Sequence, residues 1–298
     1  MSGKHEKLSE THIIGDDTHQ CVVRADTHDP RQWLQEARVC NTLGLHQIAH
    51  VGIANAKVPY RVVRKDQSGT YLLACFGGRG KVLIDGHWQV CAPGTACLLP
   101  PHTMNAFYAT SECRWQFCWV RYAEPPEKKP IISATSPVIA KFDSLPLRHA
   151  VEGLYHECGA GNSPSALHHW VELIQSYVLQ FAQPWQGDDR LWRLWHQVIN
   201  ELDQEWTLDR LASISHVSSE HLRRLCRRQL GRSPMQQVTF LRMQRAAELL
   251  SVNNDKIEVI AASVGYQNPF VFSTTFKKWI GWRPSEFRAK QNASAKRH

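Results

Sequence analysis

The spacing of apolar positions changes twice along this chain, and the changes divide it. Residues 1–45 are polar and histidine-rich with weak periodicity, and read as an N-terminal arm. From 46 to 122, short apolar runs are separated by Gly, Pro and Asp-Gly turns. They predict strands over 46–53, 61–64, 70–77, 80–84, 87–91, 96–99, 105–109 and 114–122, with Asp85-Gly86 the clearest hairpin turn. Many short strands at this spacing suggest a small barrel or jelly roll. Residues 123–145 are Pro-rich and irregular. Helices are expected over 147–158 and 164–183, the second opened by Ser163 as N-cap and Pro164 in its first turn. The stretch 184–189 reads as a linker, and everything after it has helical spacing.

Within that helical region a single pattern occurs twice. Leu208-x-x-Leu211-Ala212 is followed by Val217-Ser218, Leu222 and Leu225, and closes at Gly231. About fifty residues later Ile257-x-x-Ile260-Ala261 is followed by Val264-Gly265-Tyr266, Phe272 and Phe276, and closes at Gly281. A small Ala on a short helix, a tight turn and a second helix with its own apolar stripe is the sequence form of a helix-turn-helix, because a steep crossing leaves no room for a larger side chain. Thr207 and Ser218 are expected to cap the first pair. Asn268-Pro269 is expected to open the second reading helix, and Ser233-Pro234 a long helix between the pairs. That helix, roughly eighteen residues at ~1.5 Å each, spans about 27 Å. With the helix radii added, two reading helices would stand about one DNA turn, ~34 Å, apart. His216 occupies the turn position that favours Gly and is expected to take a left-handed conformation.

Charge adds to this picture. The 298 residues carry 35 Lys and Arg against 27 Asp and Glu, but residues 190–298 hold 18 basic and 9 acidic side chains while the first 189 hold 17 and 18. All the excess positive charge therefore lies with the repeated pattern, as expected of a surface that displaces counterions from phosphates. A solubilising tail accounts for only some of it: without Lys290, Lys296 and Arg297 the region still has a net charge of +6. A hydrophobic content of 43% describes an ordinary globular protein of a length that suits two domains. No apolar run approaches the ~18 residues of a membrane span, and the start lacks a signal-peptide core. The nine cysteines are scattered without a CxxC pair, which suits reduced thiols in the cytoplasm and indicates neither a disulfide framework nor a zinc module.

The last 100 or so residues resemble the AraC-type transcription regulator domain. The resemblance is carried by Ala212, Val217-Ser218, Leu222, Gly231, Ser233-Pro234, Arg242, Ala246 and Leu249-Leu250, then by Ile257, Ile260-Ala261, Val264-Gly265-Tyr266, Phe272, Phe276-Lys277-Lys278, Gly281, Pro284 and Phe287-Arg288. More loosely, Arg64, Tyr71, Gly77-Gly78-Arg79-Gly80, Gly94, Leu98-Leu99-Pro100-Pro101 and Trp115 to Val120 resemble that family's cupin-like sugar-sensing domain. The resemblance implies an α+β protein: a polar arm (1–45), a cupin-like β-barrel with dimerisation helices (46–183), a linker (184–189), an all-α domain with two helix-turn-helix motifs (190–290) and a basic tail (291–298). It also implies a cytoplasmic homodimer acting at promoter DNA with RNA polymerase, usually as an activator, under control of a small-molecule effector, with no cofactor and no membrane partner.

On the first reading helix, Leu222, Leu225 and Cys226 are expected to face the core, which leaves Ser219, Glu220, Arg223, Arg224, Arg227 and Arg228 outward. Arg suits a bidentate contact to guanine and Glu an acceptor contact to cytosine. By the resemblance Glu220, Arg223 and Arg224 read bases, and Arg227 binds phosphate. On the second, the matching positions are Phe270, Val271 and Thr274, with Lys277 and Lys278 for phosphates. Two uses of Phe270 stay open: contact with thymine methyls, or packing inward. In the sensing domain the ligand residues expected are Arg64, Tyr71, Phe107, Trp115, Phe117 and Trp119, since aromatic faces stack on sugar C–H surfaces while Arg donates hydrogen bonds. By the resemblance Arg64 and Trp119 match sugar-touching residues, whereas Phe107 and Phe117 stand where a tyrosine and a histidine are found. Trp115 and Trp119 lie an even number apart on one strand, so they could equally fill a core. A cupin-type metal enzyme is the alternative of another class. It is disfavoured by Asn105 where such domains commonly carry His, by His102 as a poor substitute, and by the lack of paired carboxylates or a nucleophile elbow. A regulator that dimerises without sensing a ligand is the third reading.

Overall fold

The computed structural model describes residues 11–26, 31–64, 69–85, 87–101, 104–111, 113–124, 131, 138–160, 163–182, 189–252 and 254–295. His102 and most of the expected linker 184–189 lie outside these residues. The chain divides into two compact units, the first made of residues 1–130 and 142–178, the second of 131–141 and 179–298.

In the first unit the strands follow short runs rich in β-branched, aromatic and other apolar residues, alternating in burial over 80–84 but buried throughout over 71–75 and 96–99. They are β1 (Thr11–Ile14), β2 (His19–Arg24), β3 (Arg38–Val39), β4 (Ile48–Ala56), β5 (Tyr60–Arg64), β6 (Tyr71–Gly77), β7 (Gly80–Ile84), β8 (His87–Cys91), β9 (Thr95–Leu99), β10 (Asn105–Ala109) and β11 (Trp115–Tyr122). Every strand expected from the pattern is present, with ends moved by at most three residues. The polar stretch before residue 46 supplies three more, which its weak periodicity did not reveal.

Hydrogen bonding sorts the strands into two sheets, β1-β5-β10-β7-β8 and β9-β6-β11-β4-β2-β3, so the expected closed barrel is not what forms. The reason is visible in the pairing: β5 and β10 are bonded to each other and to β1 and β7, while β4 and β6 both flank β11. The strand pairs that would join the sheets into a cylinder are absent from the described pairings. Residues Ile84 and His87 face each other across the β7–β8 hairpin, and Asp85 takes the left-handed conformation (φ 52°) that such a tight turn requires.

Trp115, Phe117 and Trp119 alternate along β11 and so point the same way, into the core. Two glycines make room for them: a Cβ on Gly52 would lie 2.4 Å from the Trp119 ring, and one on Gly80 would lie 2.2 Å from that of Trp115. Helices α1 (Leu145–Ala160) and α2 (Pro164–Ala182) follow, the division between units falling within α2. Leu147, Ala150, Val151 and Leu154 make a helical stripe that α1 buries against β4, β2 and β11.

Among the described residues of the second unit, helices predominate beside the short extended segment β12 (Ile139–Lys141), which runs beside the end of α5. Its helices are α3 (Asp189–Asn200), α4 (Leu208–Ile214), α5 (Ser219–Leu230), α6 (Pro234–Val252), α7 (Ile257–Ser263), α8 (Pro269–Ile280) and α9 (Pro284–Ala295). The residues expected to start helices do so. Thr207 accepts from the N–H of Arg210, Ser218 from that of His221, and the Asn268 side chain from those of Phe270 and Val271. The core around α8 is Met243, Ala246, Leu250, Ile260, Ala261, Val264, Phe272, Phe276, Ile280 and Phe287. Helix α9 continues to Ala295, into the stretch expected to be a tail.

Candidate nucleic-acid interface

The repeat in the sequence becomes a repeat in backbone geometry. Ala212 and Ala261 are both buried, and each accepts a hydrogen bond from the residue five positions on, Val217 at 3.1 Å and Tyr266 at 2.9 Å. The turn residue before that donor is left-handed in both copies: His216 at φ 52° and Gly265 at φ 79°. Helices α5 and α8 each run for 12 residues and each end on a left-handed glycine, Gly231 and Gly281. The same short-helix, turn, long-helix geometry is thus built twice from different residues.

On α5, Leu222 and Cys226 are fully buried, Leu225 is half-buried, and Glu220, Arg223, Arg224, Arg227 and Arg228 are exposed. Their side chains, with Lys141, line a cavity of about 530 Å³. Within this face Arg223 lies 3.7 Å from Glu220, one turn away, and Arg224 bonds the His221 ring at 2.9 Å. Exposed pairs of this kind are worth little and exchange readily for other partners. Ser219 is half-buried and donates to Asp209 at 2.9 Å, so it is more committed to holding α4 against α5.

On α8, Phe272 and Phe276 are buried while Phe270, Val271, Thr274, Lys277 and Lys278 are exposed. Phe270 is 84% exposed, which excludes the inward-packed reading. Thr274 spends its hydroxyl proton on the carbonyl of Phe270, at 2.9 Å, leaving its methyl and the hydroxyl lone pairs for other contacts. This face is therefore apolar at its start and cationic at its end.

Several basic residues of the unit serve the fold instead. The Arg232 guanidinium lies 3.8 Å over the Phe240 ring and donates to Gln237 at 3.0 Å. Arg242 donates to the carbonyls of Leu202 and Gln204 at 3.0 and 2.7 Å, half-buried, and burial lowers its pKa. Arg210 stacks 4.2 Å over Trp206 and pairs with Glu201 at 3.3 Å. A count of charges along the sequence could not separate these from the exposed set on α5 and α8; burial separates them.

In the first unit the six residues expected to touch a ligand do converge. Arg64 lies 5.1 Å from the Tyr71 ring centre and 5.6 Å from that of Phe107, and those two rings stack at 5.6 Å. Phe107 meets Trp115 at 6.3 Å and Phe117 at 6.5 Å, and Phe117 meets Trp115 at 4.3 Å and Trp119 at 6.1 Å. All five aromatics are at most 2% exposed, so the rings fill the space between the two sheets as a core does. Residues that sequence reasoning missed stand beside them. Trp119 donates its indole N–H to buried His50 at 2.9 Å, Trp33 lies edge-on to both His12 and His50, and Arg31 approaches His50 at 3.4 Å. Burial first, and then the charges of Arg64 and Arg31, lower the His12 pKa to about 4. His12 and Trp33 come from the polar arm, where nothing in the spacing marked them.

Residues 50–131 match the family model described as the AraC-like ligand binding domain, and 211–290 match the helix-turn-helix domain. The two matches place an AraC-like ligand-binding region ahead of a helix-turn-helix region in one chain. The chain is 34% identical, over 104 residues, to the HTH-type transcriptional regulator MtrA of Neisseria gonorrhoeae, covering 35% of this chain and 34% of that protein. It is 35% identical, over 101 residues, to the RCS-specific HTH-type transcriptional activator RclR of Escherichia coli, covering 34% of this chain and 36% of that one. The chain thus spans about a third of the length of these curated relatives. Among solved structures, the C-terminal domain of AraT, a response regulator from Geobacillus stearothermophilus, is 33% identical with a TM-score of 0.34, covering 35% of this chain and 88% of that one. Among the described residues no group of His, Cys, Asp or Glu is placed to hold a metal ion, and no helix is long and apolar enough to cross a membrane.

Proposed function

We propose that this chain is an AraC/XylS-type regulator that binds promoter DNA sequence-specifically through two helix-turn-helix motifs and activates transcription with RNA polymerase. The observation that carries the reading is the duplicated turn geometry, with an exposed set of basic side chains on each of α5 and α8. Glu220, Arg223 and Arg224 read bases, with Phe270 and Val271 against thymine methyls; Arg227, Lys277 and Lys278 hold phosphates. Helix α6 has 19 residues, about 28 Å at ~1.5 Å per residue, a length suited to joining two reading helices that enter successive major grooves. Curated relatives named as activators, RclR and the Lactose operon transcription activator of Staphylococcus xylosus, favour activation. In this reading 190–290 is the DNA-binding domain, 46–183 senses and dimerises through α1 and α2, and the protein works in the cytoplasm as a homodimer. Selecting bound duplexes from a random pool, followed by transcription from the selected site with and without the protein, tests it. Failure to enrich any sequence refutes it.

For the first unit the reading is an open, cupin-like sandwich whose effector is a sugar or similar polyol, held by Arg64, Tyr71 and Trp119. Arg64 and the neighbouring histidines supply hydrogen bonds, and Trp119 supplies a stacking face. The near-complete burial of the five rings favours the competing version, in which the domain dimerises without a ligand. A melting-temperature screen of sugars distinguishes them: a saturable rise supports the sensor, and none supports the dimeriser.

A further inference from the structure

Lys141 lies outside both regions that match family models, 50–131 and 211–290, in a stretch that the sequence marks only as Pro-rich and irregular. The fold of the second unit gives it a definite place. Val138 is buried, and its N–H donates to the carbonyl of Leu230, the last residue of α5, at 3.3 Å. The closing carbonyls of a helix have no partners within it, so an extended segment that supplies an N–H is held there. Gly231 makes the approach possible, because a Cβ on it would collide with the Ile139 carbonyl oxygen. This pins β12 beside the end of α5 and leaves Lys141, its last residue, exposed. The Lys141 side chain lines the same cavity as Glu220, Arg223, Arg224, Arg227 and Arg228.

We infer that Lys141 is a phosphate contact, delivered by β12 to the DNA beside Arg227 and Arg228; this assignment rests on the DNA-binding reading above. Five cations and one carboxylate line the cavity, and the carboxylate of Glu220 is already 3.7 Å from Arg223. Like charges gathered around one space are stabilised by an anion, and duplex DNA presents one phosphate charge per ~1.7 Å of its axis. Position along α5 says which part of the DNA Lys141 meets. Glu220, Arg223 and Arg224 occupy the first half of the helix, the end that reaches base edges in a helix-turn-helix, while Arg227 and Arg228 lie in its last turn. β12 is held at that last turn, so Lys141 joins the second group, facing the sugar-phosphate wall of the groove. A lysine suits the wall: its ammonium is a compact charge on a flexible stem and needs no fixed angle to a phosphate oxygen. The opposite arrangement, a strap that holds DNA away from α5, predicts an effect of the opposite sign.

The test measures the affinity of the full-length protein for a selected duplex and for a random-sequence duplex across a salt series, by fluorescence anisotropy. Loss of one phosphate contact cuts the slope of log affinity against log salt by about 0.9, which amounts to about a fivefold loss between ~1 M and ~0.15 M salt. Lys141→Ala should show that loss equally on both duplexes, Lys141→Arg should keep the wild-type slope, and Lys141→Glu should lose more than Lys141→Ala. With wild type binding, an unchanged slope in Lys141→Ala, a loss confined to the selected duplex, or tighter binding by Lys141→Ala would each overturn the assignment of Lys141 alone. Wild-type protein that binds neither duplex would refute the DNA-binding reading and the Lys141 contact with it.

Discussion

Phe270 offers the sharpest test of the interface, because its exposure separates function from stability. At 84% exposure it contributes little to the fold, so Phe270→Ala should change stability by no more than about 0.5 kcal/mol. A phenylalanine buries roughly 150–250 Å² when fully covered. Covering about a third of that against thymine methyls, ~60 Å², at ~25 cal/mol per Å² gives ~1.5 kcal/mol. That is about a tenfold loss of affinity for a selected site. The contact releases no counterion, so the dependence of affinity on salt should keep its slope, whereas Lys277→Ala should reduce the slope by about 0.9. The assay is fluorescence anisotropy on a selected duplex across a salt series, repeated with uracil replacing thymine one position at a time. Wild type should lose affinity at one or two uracil positions, and Phe270→Ala should lose nothing further there. Affinity indifferent to both changes, or a melting temperature several degrees lower in the variant, would refute the reasoning.

Arg224→Ala should weaken binding to a selected site by about 1–3 kcal/mol while leaving random-sequence binding nearly intact; equal losses in the same anisotropy assay would make Arg224 a phosphate contact. Ala261→Leu places a large side chain where Ala261 is fully buried between crossing helices, and should destabilise the second unit by about 1–3 kcal/mol in urea unfolding. An unchanged midpoint would show that the crossing has slack. Burial and nearby arginines lower the pKa of both His12, to about 4, and His50. Below pH 6.5 the unfolded chain therefore binds protons that the folded one does not, and the melting temperature of the first unit should fall between pH 7 and 5. His50→Gln should flatten that fall; an equally steep profile in the variant would remove His50 as a source.

The sequence was most legible where a backbone demand and a side-chain pattern coincide. Ala212 and Ala261, the caps Thr207, Ser218 and Asn268, and the closing glycines each answer a local steric or hydrogen-bonding need, so their positions could be read without knowing what packs where. His216 was legible for the same reason, as a residue forced into a glycine conformation, and it takes φ 52°. Phe270 was not, since an aromatic beside a helix start fits either face until the neighbours Phe272 and Phe276 take the core. Sheet organisation was equally hidden. The strands could be found, but which pair closes or leaves open a barrel depends on long-range register. The role of His12, Trp33 and His50 in the aromatic cluster was invisible because their setting comes from strands and turns far apart in the chain.

Strand β1 lies on the rim of one sheet against β5, and β2 covers β4 in the other. The earliest-synthesised described residues therefore seal two edges whose partners emerge from the ribosome only dozens of residues later. Any fragment begun at residue 46 would leave the N–H and C=O groups of β5 and β4 open to strangers, and should self-associate edge to edge where the longer chain stays dispersed.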